Sequence, residues 1–221
     1  MLTNFINFIK ATTKFYRGFI QRLASHFGVF ELEPVVEQFK LTSEICHYGQ
    51  YMAGELTRAI IPVSEPDEPI TPSPELKRLI IRSCHRCLVI LGDLSRYREV
   101  GNSTEKNWAP ATGYYDLAKK LVPESGSPHN QLAVISMSDG SSLSATYHLY
   151  RAVSVKEPFP EAGNNLGLGF QKILKAYRSG KLGANLVRKE EQQISELLSL
   201  FTRLHASYFN EKEYVFINCS G

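Results

Sequence analysis

Nowhere in this chain of 221 residues does an apolar run reach the length needed to cross a bilayer, so the sequence offers no membrane-spanning helix and implies no membrane partner. Catalytic signatures are missing as well. There is no glycine-rich phosphate loop, no nucleophile elbow and no His-Glu-x-x-His pair, and the serines and histidines fall in no recognisable arrangement. No catalytic residue, cofactor or enzyme class is therefore assigned. Cysteine is scarce: Cys46, Cys84, Cys87 and Cys219 are the only four, which points to reduced thiols in a cytoplasmic or nuclear setting. Cys84 and Cys87 form a Cys-x-x-Cys, but no second Cys/His pair stands at zinc-ligand spacing and the motif falls inside a helical run. Packed thiols are expected there, not a metal site. Acidic residues are absent from Met1 to Phe30, where the charges are Lys10, Lys14, Arg17 and Arg22. A mitochondrial presequence has that balance. The stretch is aromatic-rich, however, and Leu2, Phe5, Ile9, Tyr16, Phe19, Leu23 and Phe27 recur at helical spacing, which fits a core helix better.

Hydrophobic residues make up 43% of the chain, enough for a sizeable core, and the net charge of +3 does not by itself imply nucleic acid. A first helix is expected over residues 3–27, stopped by Gly28. A second is expected over about Thr42 to Ala59. Pro62, Pro66, Pro69, Pro72 and Pro74, with Glu65, Asp67 and Glu68 among them, make 61–74 an exposed loop. Ser73-Pro74 then reads as the cap and first position of a strongly apolar helix running to Val100. Further on, Ser141 or Ser142 caps a helix after the Asp139-Gly140 turn, and another helix spans about Pro160 to Arg178. A last helix from about Asn185 to Tyr208 carries Ile194, Leu197, Leu198, Phe201 and Leu204 on one apolar face.

From Leu88 the chain repeats at tetratricopeptide spacing. Leu88, Leu91 and Gly92 open the first unit; Ala111, Tyr115, Ala118 and Pro123 close it, with an insertion over Gly101 to Trp108. His129, Leu132 and Ala133 open the second, and Ala145, Leu149, Ala152 and Glu157-Pro158 follow without gaps. Small residues at these positions let antiparallel helices approach closely. The expectation is an all-α, right-handed stack of antiparallel helix pairs.

Several blocks carry a family resemblance: Gly92-Asp93-Leu94-Ser95-Arg96-Tyr97, Tyr114-Tyr115-x-x-Ala118, Leu121-x-Pro123 and Gly126-x-Pro128-x-Asn130-Gln131-Leu132-Ala133, continued by Pro158-Phe159-Pro160 and Asn165-Leu166. The chain resembles the telomerase-associated Est proteins and the Smg adaptors of nonsense-mediated mRNA decay over about residues 2–178. The resemblance implies a 14-3-3-like tetratricopeptide domain over 1–178 and the incomplete start of a helical hairpin domain over 179–221. It also implies a phosphorylated protein partner, possible pairing with a homologous adaptor, and binding of RNA or single-stranded DNA. Arg96 and Tyr97 match the phosphate-contacting pair of the 14-3-3 proteins, and Asn130 joins them as a phosphopeptide-binding candidate. The family completes that pocket with a basic residue on a preceding helix, which no residue here matches, so the expectation is of a family core cut at both ends.

The residues themselves leave alternatives open. Arg96 either meets a phosphate in a groove between the first helix and the Leu76–Val100 helix, or pairs internally with Asp93 or Glu99. Asn130 either contacts a ligand or holds neighbouring helices by hydrogen bonds. Lys172, Lys175, Arg178, Lys181, Arg188 and Lys189 form a basic cluster, with Tyr177 interleaved and no acid between 162 and 189. That is either a nucleic-acid surface or a solvated helix end. Three functions compete: a phosphopeptide-binding adaptor, a nucleic-acid-binding subunit, and a tetratricopeptide scaffold without phosphate binding.

Overall fold

The computed structural model describes residues 2–40, 69–100, 106–179 and 197–209. The helix expected at Thr42–Ala59, the first part of the proline-rich segment, most of the Gly101–Trp108 insertion, Ile194, and Lys181, Arg188 and Lys189 lie outside them. The described residues are all-α as expected, with short connections and one isolated parallel bridge between Ser125 and Glu157. The chain divides into two compact units, Met1–Pro123 and Glu124–Gly221.

In the first unit α1 spans Leu2–Phe27 and stops where expected, because Gly28 takes a left-handed φ of +53°. Ile70 N–H donates to the His26 carbonyl at 2.9 Å and seats the 69–73 segment against the end of α1. A 3-10 turn, Phe30–Leu32, leads into α2, residues 33–40. Helix α3, Pro74–Val100, begins as read: Ser73 Oγ accepts the Leu76 N–H at 3.2 Å, and Pro74 supplies the first helical φ. Helix α4 is Ala109–Leu121. Ile20 of α1, Leu32, Phe39 of α2, Ile80, Cys84, Leu88 and Leu91 of α3, and Ala118 of α4 form one core. Cys84 and Cys87 pack within it as thiols.

In the second unit α5 (Ser127–Ser138) and α6 (Ser142–Ser154) form a hairpin around Gly140, whose φ is +76°. Ser141 holds the cap position but through its backbone carbonyl, which accepts the Ala145 N–H at 3.0 Å; its hydroxyl caps nothing. Helix α7 starts at Ala162, later than the expected Pro160. The Phe159–Glu161 stretch is spent on a turn, with Phe159 N–H bonded back to the Ala152 carbonyl at 3.1 Å and Ala162 N–H to the Phe159 carbonyl at 3.0 Å.

Helix α8 covers residues 197–209. Leu197, Leu198, Phe201 and Leu204 do share a face, but that face is exposed. Thr202 and Ala206 are buried instead, Ala206 in a core with Ala133, Leu149, Leu166 and Phe170. Thr202 Oγ1 donates to the Leu198 carbonyl at 2.7 Å, so its polarity is satisfied within the helix and its small bulk goes inward.

Candidate phosphate-binding site

The site grows out of repeat packing. At Gly92 a Cβ would lie 2.3 Å from Tyr115 Cε1, so α4 lays its tyrosine ring directly on the α3 backbone. Tyr115 is fully buried. That placement carries its hydroxyl to Asp93, where Oη donates to Oδ1 at 2.7 Å. Arg96, one turn on, donates from Nη2 to the same oxygen at 3.3 Å. Its guanidinium lies 4.5 Å from the Tyr97 ring centroid. A carboxylate therefore holds one edge of the cation and an aromatic ring backs it.

Arg96 is mostly covered, its side chain 14% exposed, while Tyr97 is 49% exposed. Its partners belong to α3 and α4, which places the cation on that side of α3 and corrects the expected groove between α1 and α3. Of the two internal pairings weighed, Asp93 is the one formed; Glu99 instead accepts from Arg98 Nε at 3.2 Å and from the Asn107 N–H at 3.3 Å. Arg96 Nε is buried and has no hydrogen-bond partner.

The electrostatics fit a fixed cation. Burial works against the Arg96 charge but is outweighed by Tyr115, Tyr97 and Asp93, so its pKa moves further up. Burial first, and the Asp93 charge second, push the Tyr115 phenol up, which keeps it a neutral donor. Burial and the neighbouring Cys87 push the Cys84 thiol up to about 12, and burial raises Cys87 as well, so neither is poised as a thiolate.

Asn130 belongs to the second unit. It is buried, and its Oδ1 accepts from Asn165 Nδ2 at 2.9 Å, joining α5 to α7. Beside it His129 Nδ1 meets His148 Nδ1 at 3.0 Å across the α5–α6 hairpin. Gly126 is pressed against the end of α6: a Cβ there would lie 2.4 Å from the Ala152 carbonyl oxygen. Its N–H bonds the Glu157 carbonyl at 2.8 Å. The Gly126–Ala133 and Pro158–Leu166 blocks are thus two sides of one packed junction. Of the basic cluster, Lys172, Lys175 and Arg178 are described, and all three are exposed on α7. Tyr177 is engaged elsewhere, under the Arg203 guanidinium at 4.0 Å.

Sequence reasoning gave Tyr115 only a packing role and missed its hydroxyl. The available signal was indirect: a tyrosine at the repeat position facing Gly92, with Asp93 next to that glycine.

This is an all-helical protein among its described residues, with Arg96 and Tyr97 lying together where α3 packs on α4. The model of the telomerase activating protein Est1 family matches residues 1–102, and that of the Est1 DNA/RNA binding domain matches residues 111–219. The nonsense-mediated mRNA decay factor SMG7 of Arabidopsis thaliana is 41% identical over 100 residues, covering 44% of this chain and 9% of that protein. A SMG7-like decay factor of the same plant is 50% identical over 91 residues, 40% of this chain and 10% of that one. Among solved structures, the C. elegans SMG5–SMG7 complex matches 66% of this chain and 33% of that chain, with 26% identity and a TM-score of 0.47. The chain belongs to the family of the telomerase-associated Est1 proteins and the Smg decay factors. It spans about a tenth of the length of those two plant relatives. No described helix is long and apolar enough to cross a membrane.

Proposed function

We propose that this chain is a non-enzymatic adaptor that binds a phosphoserine or phosphothreonine of a partner protein through Arg96, with Tyr97 alongside. The observation that carries the reading is a cation held in place beside an exposed aromatic ring. Arg96 is fixed by Asp93 through Nη2 and stacked on Tyr97, its side chain still 14% exposed beside a half-exposed ring. A guanidinium also presents its donors in a plane that suits phosphate oxygens. With one arginine carrying most of the phosphate charge, affinity falls in the range of roughly 5–6 kcal/mol, tens to hundreds of micromolar. The test is fluorescence anisotropy of a labelled phosphoserine peptide with the parent and with Arg96→Lys, which keeps the charge and loses the fork. The lysine variant is expected to bind at least several-fold more weakly at unchanged fold. Equal binding by both removes Arg96 from the site. Asn130, already bonded to Asn165, takes no part in this reading.

A second reading, nucleic-acid binding, is favoured by α7. Lys172, Lys175 and Arg178 are exposed, have no carboxylate partner among the described residues, and lie in the part matched by the DNA/RNA binding domain. Such a surface binds phosphates without reading bases. Replacing the three with alanine is expected to weaken RNA binding uniformly and flatten its salt slope by about one unit for each phosphate no longer neutralised. Unchanged binding and slope would leave them a solvated helix face.

A further inference from the structure

Tyr115 and Asp93 do more than fill space beside Arg96. We infer that they are positioning residues for phosphate recognition: the tyrosine hydroxyl fixes the carboxylate, and the carboxylate fixes the guanidinium. The inference rests on the Arg96 reading above.

Three observations carry it. First, the tyrosine cannot choose its place. Its ring is fully buried and lies on Gly92 so closely that no side chain fits there, so the α3–α4 packing sets where Oη falls. Second, Asp93 Oδ1 is shared. It receives Tyr115 Oη at 2.7 Å and Arg96 Nη2 at 3.3 Å, so the shorter bond comes from the immobile partner and the longer one from the arginine it steers. Third, the tyrosine stays a donor across the physiological range, because burial and the Asp93 charge both oppose its ionisation. An arginine side chain has many rotamers. Holding it in one of them before the ligand arrives removes an ordering cost worth about threefold to tenfold in affinity. The same carboxylate lowers the net charge of the site. Recognition then depends on where the guanidinium points more than on bulk attraction, which separates phosphate from a generic anion.

The competing account makes Asp93 a rival for the guanidinium, occupying donors that phosphate needs. The two accounts differ in sign. If Asp93 positions Arg96, its loss weakens binding; if it competes, its loss strengthens binding. Asp93→Asn is informative because an amide oxygen still accepts from both partners while the charge is gone.

The experiment measures the affinity of a phosphoserine peptide, with its unphosphorylated twin and inorganic sulfate as probes, for the parent chain and for Tyr115→Phe, Asp93→Ala and Asp93→Asn. Arginine Nε–H signals are recorded by ¹⁵N NMR on each ligand-free chain. Tyr115→Phe and Asp93→Ala are expected to weaken phosphopeptide binding about threefold to tenfold, the ordering cost returned, with sulfate, which presents the same tetrahedral oxygens, weakened in parallel. Asp93→Asn is expected to restore most of it. The Arg96 Nε–H signal should be distinct in the parent and in Asp93→Asn, and lost to exchange in the other two. Full phosphopeptide affinity in Tyr115→Phe with an unmoved Arg96 signal would overturn the inference, and so would tighter binding by Asp93→Ala. A parent that fails to distinguish the two peptides would count against the phosphate reading instead, while the NMR signals would still decide whether Tyr115 and Asp93 hold Arg96.

Discussion

Replacing Gly92 with alanine puts the smallest possible side chain where α3 and α4 meet. The new Cβ would lie 2.3 Å from Tyr115 Cε1, 2.6 Å from Cδ1 and 2.7 Å from Cζ. Carbon atoms in contact sit at about 3.5–4.0 Å, so the ring must retreat by more than about 1 Å. It has nowhere easy to go, being fully buried with its hydroxyl bonded to Asp93 at 2.7 Å. Overpacking of this kind costs about 1–3 kcal/mol. Dragging the hydroxyl off the carboxylate adds a lost charge-assisted bond of about 1.5–3 kcal/mol. Removing a mid-helix glycine offsets about 1 kcal/mol. The net expectation is a destabilisation of roughly 1.5–5 kcal/mol, read as a lower urea midpoint. Gly167→Ala on α7 is the control: nothing lies within 4 Å of its Cβ, so it should be neutral or stabilising by about 0.5–1 kcal/mol. If Gly92→Ala proves as stable as Gly167→Ala, the α3–α4 register is wrong, and with it the placement of Asp93 and Arg96.

Three other outcomes follow from particular contacts. Asn130→Ala strips the acceptor from Asn165 and is expected to cost about 1–3 kcal/mol in thermal or urea unfolding, with Asn165→Ala giving a similar loss and the double variant less than their sum. On α8, Phe201→Ser and Leu204→Ser should each change stability by less than about 0.5 kcal/mol, whereas Ala206→Leu should destabilise by about 1–3 kcal/mol; the reverse order would restore the leucine face as the buried one. The Cys84 thiol, pushed from an ordinary 9.0 up to about 12 by burial and then by Cys87, should resist iodoacetamide in the folded chain at pH 8. Because the folded state holds that proton longer than the unfolded state, its contribution is intact below about pH 9 and is lost as pH rises towards about 12. Urea midpoints measured at pH 7 and pH 10 should therefore fall at the higher pH by more than in Cys84→Ala.

Much of this arrangement was legible from residue spacing, and the reasons are physical. Gly28 and Ser73-Pro74 mark helix ends because only certain residues suit a left-handed stop or a first helical turn. Gly92 facing Tyr115, and Ala133 within the second unit's core, could be read because a repeat pairs small with large at fixed offsets. Asp93 beside Arg96 was readable from their spacing on one helix. What escaped was what the fold alone brings together. Tyr115 reaches Asp93 across 22 positions and Asn130 reaches Asn165 across 35, and no local pattern announces either. On α8 the period showed which residues share a face but not which face turns inward. Thr202 and Ala206 turn inward and the leucine face stays exposed.

Phosphate recognition is tested most directly by a calorimetric titration of the parent chain with one peptide in two forms, phosphorylated and unphosphorylated at a single serine. The expected result is binding of the phosphorylated form at tens to hundreds of micromolar, roughly 5–6 kcal/mol, and no measurable heat from its twin. Equal affinity for the two peptides, or none for either, would contradict it and leave Arg96, Asp93 and Tyr115 as a device of the α3–α4 packing alone.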